Sequence, residues 1–101
     1  MNFEEFEAKI EVACLSQGEV KENDYSKLAD IAIEIFKICK NDVSYFKNNI
    51  IKLKRWQWIK DNISCVLFAD SDGPKERYDA YKKVNAFKES WRKQDELPRM
   101  Q

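Results

Sequence analysis

A chain of 101 residues that is 44% hydrophobic and 13% aromatic has the size of one domain and enough apolar mass to close a single core without disulfides or metal. Its two Gly and two Pro supply too few turns for an all-β sandwich or barrel, and its aromatic content excludes a solvated, disordered polymer. Basic and acidic residues number eighteen each, so the formal net charge is zero, and no stretch approaches the ~18 consecutive apolar residues of a membrane span.

Asn2 predicts a helix N-cap, with Glu5 three residues on as the other half of a capping-box-like pair. Phe3, Phe6, Ile10 and Ala13 then recur at helical spacing, the early glutamates suit the positive end of the helix dipole, and Gly18 is a natural stop. Asn23 or Asp24 is placed to cap a second helix. Its apolar positions Tyr25, Leu28, Ala32, Ile35 and Cys39, widened by Ile31 and Ile38, form the cleanest amphipathic pattern in the chain. Its β-branched content is high, but its period is about 3.6 and not 2, and period is the stronger signal.

Asn41-Asp42 opens a third segment that runs to about Ala69. Phe46, Ile50 and Leu53 share one face, whereas at ~100° per residue Trp56, Ile59, Ile63 and Val66 fall well round from it, so the apolar stripe shifts near Arg55. A single helix of this length would extend roughly 42 Å and overshoot its partners unless it bends. The alternative is two helices meeting near residues 54–62, with Asp61-Asn62 as a cap. A buried strand over Ile63–Phe68 is weaker still, because no convincing second strand exists to pair with it. Ser71-Asp72-Gly73-Pro74 combines a turn, a cap and a Pro at the first helical position. The last helix is expected from Pro74 to about Gln94 with Ala80, Val84, Phe87 and Trp91 on its buried face, followed by a frayed tail through Pro98. The pattern predicts an all-α fold: a small bundle of about four helices, the third long or broken near residues 54–62, in one domain over residues 1–101 that frays from about residue 96. The acidic, amphipathic start Met1-Asn2-Phe3-Glu4-Glu5 is unlike a secretory signal, so a cytoplasmic location is expected.

Charge is unevenly spread. Residues 1–22 hold six glutamates against two lysines, while residues 41–62 hold Lys47, Lys52, Lys54, Arg55 and Lys60 against Asp42 and Asp61. The favoured explanation is that the acidic first helix packs beside the basic part of the same molecule, ahead of separate acidic and basic binding faces. The three cysteines, Cys14, Cys39 and Cys65, are widely spaced among apolar neighbours, which fits free thiols in a core. With no His and no Cys-x-x-Cys pair, no metal or other cofactor is implied. Catalysis lacks its usual parts too: Gly18 and Gly73 are isolated, the commonest general base is missing, and Cys65 sits among Val66, Leu67 and Phe68, where burial raises a thiol pKa. The chain is expected not to be an enzyme.

Two surface features remain. Lys47, Lys54, Arg55, Trp56 and Trp58 interleave basic and aromatic residues, as nucleic-acid-binding segments do, and no acid occurs between Val43 and Lys60. On a helical wheel, however, Lys52 and Lys60 point away from the other cations, and a pI of about 6.3 is low for such a protein. The second feature is on the last helix, where Arg77, Tyr81, Asn85, Lys88 and Arg92 recur at helical spacing as one stripe, with Tyr78 at its edge and no acid within it. Arg and Tyr are enriched at interface hot spots, so this stripe suits an acidic partner protein or phosphates, unless it is spent on the acidic first helix. Trp56 and Trp58 lie two apart and cannot face the same way on a helix, which makes at least one a candidate anchor for a partner or a homodimer. The leading expectation is a small helical inhibitor or adaptor that occupies an acidic surface of another protein, by analogy of size and helicity with toxin-immunity proteins, antitoxins and phage-encoded defence inhibitors. A nucleic-acid or nucleotide-binding module and a self-associating structural protein are the alternatives.

Overall fold

The apolar pattern of residues 25–41 spans roughly 160° of a helical wheel, more than the stripe of a simple surface helix, and such a helix needs neighbours on several sides. The computed structural model, which describes residues 2–96 apart from the side chains of residues 41 and 91–96, places this helix at the centre. Five α-helices are described: α1 (Phe3–Leu15), α2 (Tyr25–Asn41), α3 (Val43–Asn49), α4 (Trp56–Leu67) and α5 (Lys75–Glu96), with a short 3-10 turn at Ile50–Lys52. α2 packs against each of the other four. The bundle is all-α, with five helices where about four were expected; among the described residues no strand forms, and Ile63–Phe68 is helical up to Leu67.

The start of α1 is capped as its sequence predicts: the Asn2 Oδ1 accepts the Glu5 backbone N–H at 2.8 Å. Phe6, Ile10, Ala13 and Cys14 are buried, and the edges of Tyr45 and Phe46 meet the Phe6 ring at centroid distances of 5.3 and 5.8 Å. Gly18, at φ +70°, takes the left-handed conformation that stops the chain from continuing as a helix. The start of α2 differs from expectation. Asp24 holds the N-cap position, but its carboxylate turns back to the Lys21 N–H at 3.0 Å and bonds to no helical amide. Asn23 takes a left-handed φ of 75° instead, with its side-chain oxygen accepting from the Tyr25 hydroxyl.

One residue, Asp42, ends α2 and begins α3: its carboxylate caps the new helix through the Tyr45 N–H at 3.1 Å. The third segment is broken as expected, and the break covers residues 50–55, overlapping the start of the expected 54–62. Asp61 and Asn62 do not cap; they lie inside α4 and bond to Gln57 and to the Trp58 carbonyl one turn back. The break has a physical cause. On one continuous helix Ile59, Ile63 and Val66 would sit roughly 200–260° round from Phe46, facing away from the core that Phe46 enters. The 3-10 turn and an extended Leu53 (ψ 147°) rotate the chain so that Phe46, Leu53, Ile59, Ile63 and Val66 all reach one core.

Pro74 precedes α5 by one residue, and its carbonyl accepts the Tyr78 N–H at 3.1 Å. Ala80 and Val84 are buried as expected and Phe87 is half-buried; the Trp91 and Arg92 side chains and the tail from residue 97 lie outside the described residues. The Lys83 ammonium meets the Asp30 carboxylate at 2.7 Å, and the Lys88 ammonium lies over the Phe36 ring at 5.7 Å. Both sequence numbers rise together along these pairs, so α2 and α5 run parallel.

Candidate functional site

The basic-aromatic segment is where α1 meets the start of α4. The Arg55 guanidinium grips the Glu11 carboxylate with two bonds, from Nε at 2.8 Å and Nη2 at 2.9 Å, and lies 5.7 Å from the Trp58 ring centre. One turn earlier on α1, Glu7 accepts the Lys54 backbone N–H at 3.0 Å. α4 has no side-chain cap of its own, so the two glutamates supply negative charge at its positive end. The hydrogen bond from Arg55 holds the Glu11 carboxyl below its ordinary pKa, against a smaller upward push from burial.

This pairing spends much of the proposed nucleic-acid track. Lys54, Arg55 and Trp58 line an open groove of about 540 Å³ together with Glu4, Glu7 and Glu11. Trp56 is half-buried on the core, with the Lys60 ammonium 5.7 Å from its ring, and Lys47 stands apart on α3. Trp56 and Trp58 are thus both half-buried under cations, neither standing as a bare anchor.

The stripe on α5 divides. Arg77 is half-buried: its guanidinium folds back onto Gly73, where an added Cβ would collide with it, and its Nε is buried without a hydrogen-bond partner. Its charge also draws down the Cys65 thiol pKa, although burial, the larger influence, keeps that pKa above the ordinary value. Lys88 covers Phe36, and Asn85 is half-buried. These residues flank α2 and α4; the described cations of α5 are not turned toward the acidic α1.

Tyr78 and Tyr81 are the remaining members, and they form a surface. Their rings stack at 5.9 Å with 29° between planes, and the Lys82 ammonium sits 5.1 Å from the Tyr78 ring. Tyr81 also lines a cleft of about 390 Å³ with Leu67, Phe68, Ala69 and Asp70. Phe68, the residue that ends α4, is 76% exposed. A phenyl ring in water beside two stacked phenols is an exposed aromatic patch, and such patches mark interaction sites when contiguous. Asp79 beside it is held by Lys75 at 2.8 Å and by Lys82 at 3.6 Å.

Two apolar features escaped the helical-period reading. Phe68 is out of phase with Ile59, Ile63 and Val66, which is the signal that it faces away from the core. Ala8, Val12 and Leu15 repeat at i, i+4 and i+7 on the side of α1 opposite its buried stripe, and Val12 and Leu15 are 70% and 56% exposed. Cys14 and Cys39 are buried and Cys65 half-buried, and no disulfide joins them; burial pushes the Cys14 thiol up to about 11. Among the described residues no cluster of His, Cys, Asp or Glu is arranged to hold a metal ion, and no helix is long and apolar enough to cross a membrane. No known protein family, curated protein or solved structure matches the chain.

Proposed function

We propose that this protein works by binding another protein, as an inhibitor or adaptor, through the corner where α4 turns into α5. The observation that carries the reading is Phe68, 76% exposed at the mouth of the cleft lined by Tyr81, with Tyr78 and Lys82 continuing the same surface. Covering a phenyl ring of this exposure contributes about 1.5–3 kcal/mol, enough for one anchor of a hot spot. Tyr78 and Tyr81 add contact area at low entropic cost because each has only two side-chain torsions and both rings are already stacked. Asp70 lines the cleft and Lys82 is already paired with Asp79 at 3.6 Å, so the fitting partner is recognised by an apolar side chain and not by net charge. The mechanism is occupation: the partner's surface is covered, and no bond is made or broken.

The test is affinity capture of the tagged chain from the cells that make it, comparing wild type with Phe68→Ser. A stoichiometric partner retained by wild type and lost by the variant is the expected result. Equal capture by both, or no partner with either, overturns the reading.

A further inference from the structure

Residues 42–55 join α2 to α4, and α2 and α4 also pack against each other directly. Opening this stretch therefore leaves its two ends in place and costs only the contacts that the stretch itself makes. Those contacts are few. Phe46 and Leu53 are its only buried residues, whereas α2 alone buries Leu28, Ala29, Ile31, Ala32, Ile35 and Cys39. Ile51, in the 3-10 turn, is 62% exposed. α3 has seven residues, too few to hold as a helix without its neighbours.

The polar ties of the stretch sit at its two ends and finish on carboxylates. At the start, Asp42 caps α3 through the Tyr45 N–H at 3.1 Å. At the finish, Glu7 accepts the Lys54 N–H at 3.0 Å and Glu11 takes the Arg55 guanidinium. Between them the Asn49 amide bonds back to the Tyr45 carbonyl, within α3. A relay of backbone bonds joins the two ends: the Phe46 N–H donates to the Asp42 carbonyl, Ile50 to Phe46, and Leu53 to Ile50. What the stretch covers is Phe6, 1% exposed beneath the Tyr45 and Phe46 rings at 5.3 and 5.8 Å. We infer that residues 42–55 are a strap that lifts off α1 as one unit while α1, α4 and α5 stay packed on α2, uncovering the Phe6 face of α1. The open state is a local one, with an apolar floor bared inside a bundle that is otherwise intact.

Native-state amide hydrogen exchange of the full chain, followed by NMR in urea well below the unfolding midpoint, tests this. After correction for intrinsic rates, the Phe46, Ile50 and Leu53 amides are expected to exchange at least about tenfold faster than those of residues 31–35 in α2. Their dependence on urea is expected to be shallower, because a small opening exposes little surface. Movement as one unit has its own signature. Asp42→Ala removes the cap at the start of the strap and should speed exchange of Leu53, near the finish, about fivefold, as much as it speeds Phe46. Glu7→Ala removes a tie at the finish and should likewise speed Phe46 and Leu53 by one common factor. Exchange of the three amides at the α2 rate and with the α2 urea slope overturns the inference, because the stretch then opens only with the whole fold. Acceleration confined to the substituted end overturns it too, because each end then frays by itself.

Discussion

The Glu11–Arg55 pair fixes the acidic first helix to the start of α4, and its contribution to stability follows from its geometry. Two bonds of 2.8 and 2.9 Å to one carboxylate form a fork-like, charge-assisted contact. Here the side chains are 27% and 44% exposed for Arg55 and Glu11, so water screens the attraction and the coupling falls to about 0.5–1 kcal/mol. A double-mutant cycle with Glu11→Gln and Arg55→Gln, measured by urea unfolding under far-UV circular dichroism at low salt, isolates that coupling. The pair also carries a pH signature. Folded Glu11 holds its proton less tightly than unfolded Glu11, so on acidification the unfolded chain takes up protons first. The stabilisation is therefore whole above the ordinary value of 4.5 and drains away as the pH falls through the lower folded value. Arg55 stays charged throughout this range. Wild type and Glu11→Gln should accordingly differ near neutral pH and converge in acid. A coupling below about 0.2 kcal/mol, or a difference that grows as the pH falls, refutes the reasoning.

Phe6→Ala should cost about 3–5 kcal/mol in the same unfolding assay, because it empties a site that is 1% exposed and removes two edge contacts, to Tyr45 and Phe46. Asn2→Ala should cost about 1 kcal/mol and speed amide hydrogen exchange in the first turn of α1, whereas Asn2→Asp keeps the acceptor for the Glu5 N–H and most of the stability. Arg77→Met keeps the volume over Gly73 but removes the charge near Cys65, so the midpoint of the Cys65 alkylation-against-pH profile should move upward. A downward shift would contradict the placement of Arg77. In the folded protein the buried Cys14 and Cys39 should stay unalkylated while the half-buried Cys65 reacts.

Much of the fold is written locally. The Asn2 cap, the Gly18 stop, the wide stripe of α2 and the turn before α5 depend on residues within a few positions of one another, and each is read from spacing and turn chemistry alone. The stripe shift near Arg55 is legible as well, since the period of the apolar residues records which side faces the core. The position of the break was less so. Residues 54–62 are acceptable helix formers, and only the need for Phe46 and Ile59 to enter one core decides that the helix yields at residues 50–55. Asp61-Asn62 resembles a cap by composition but is continued through, because Ile59, Ile63 and Val66 gain more from burial on either side of it.

The surface was harder to read, because what occupies a charge is a long-range fact. Arg55 looks like a phosphate ligand until Glu11, 44 residues earlier, takes it. Arg77 looks like a partner contact until it folds onto Gly73. Trp56 and Trp58 look like anchors until α4 lays both against the core under cations. Conversely, Phe68 reads as one more core residue in an apolar run, although its phase against Ile59, Ile63 and Val66 already turns it away from the core. The sequence by itself determined an all-helical chain with one cleanly amphipathic, wide-striped helix and a phase change in the third segment, because periodicity and capping are local; that this helix is central came from the tertiary structure. Tertiary structure alone decided which charges were neutralised within the molecule and which rings were left in water, because those outcomes depend on residues far apart in the chain meeting in space.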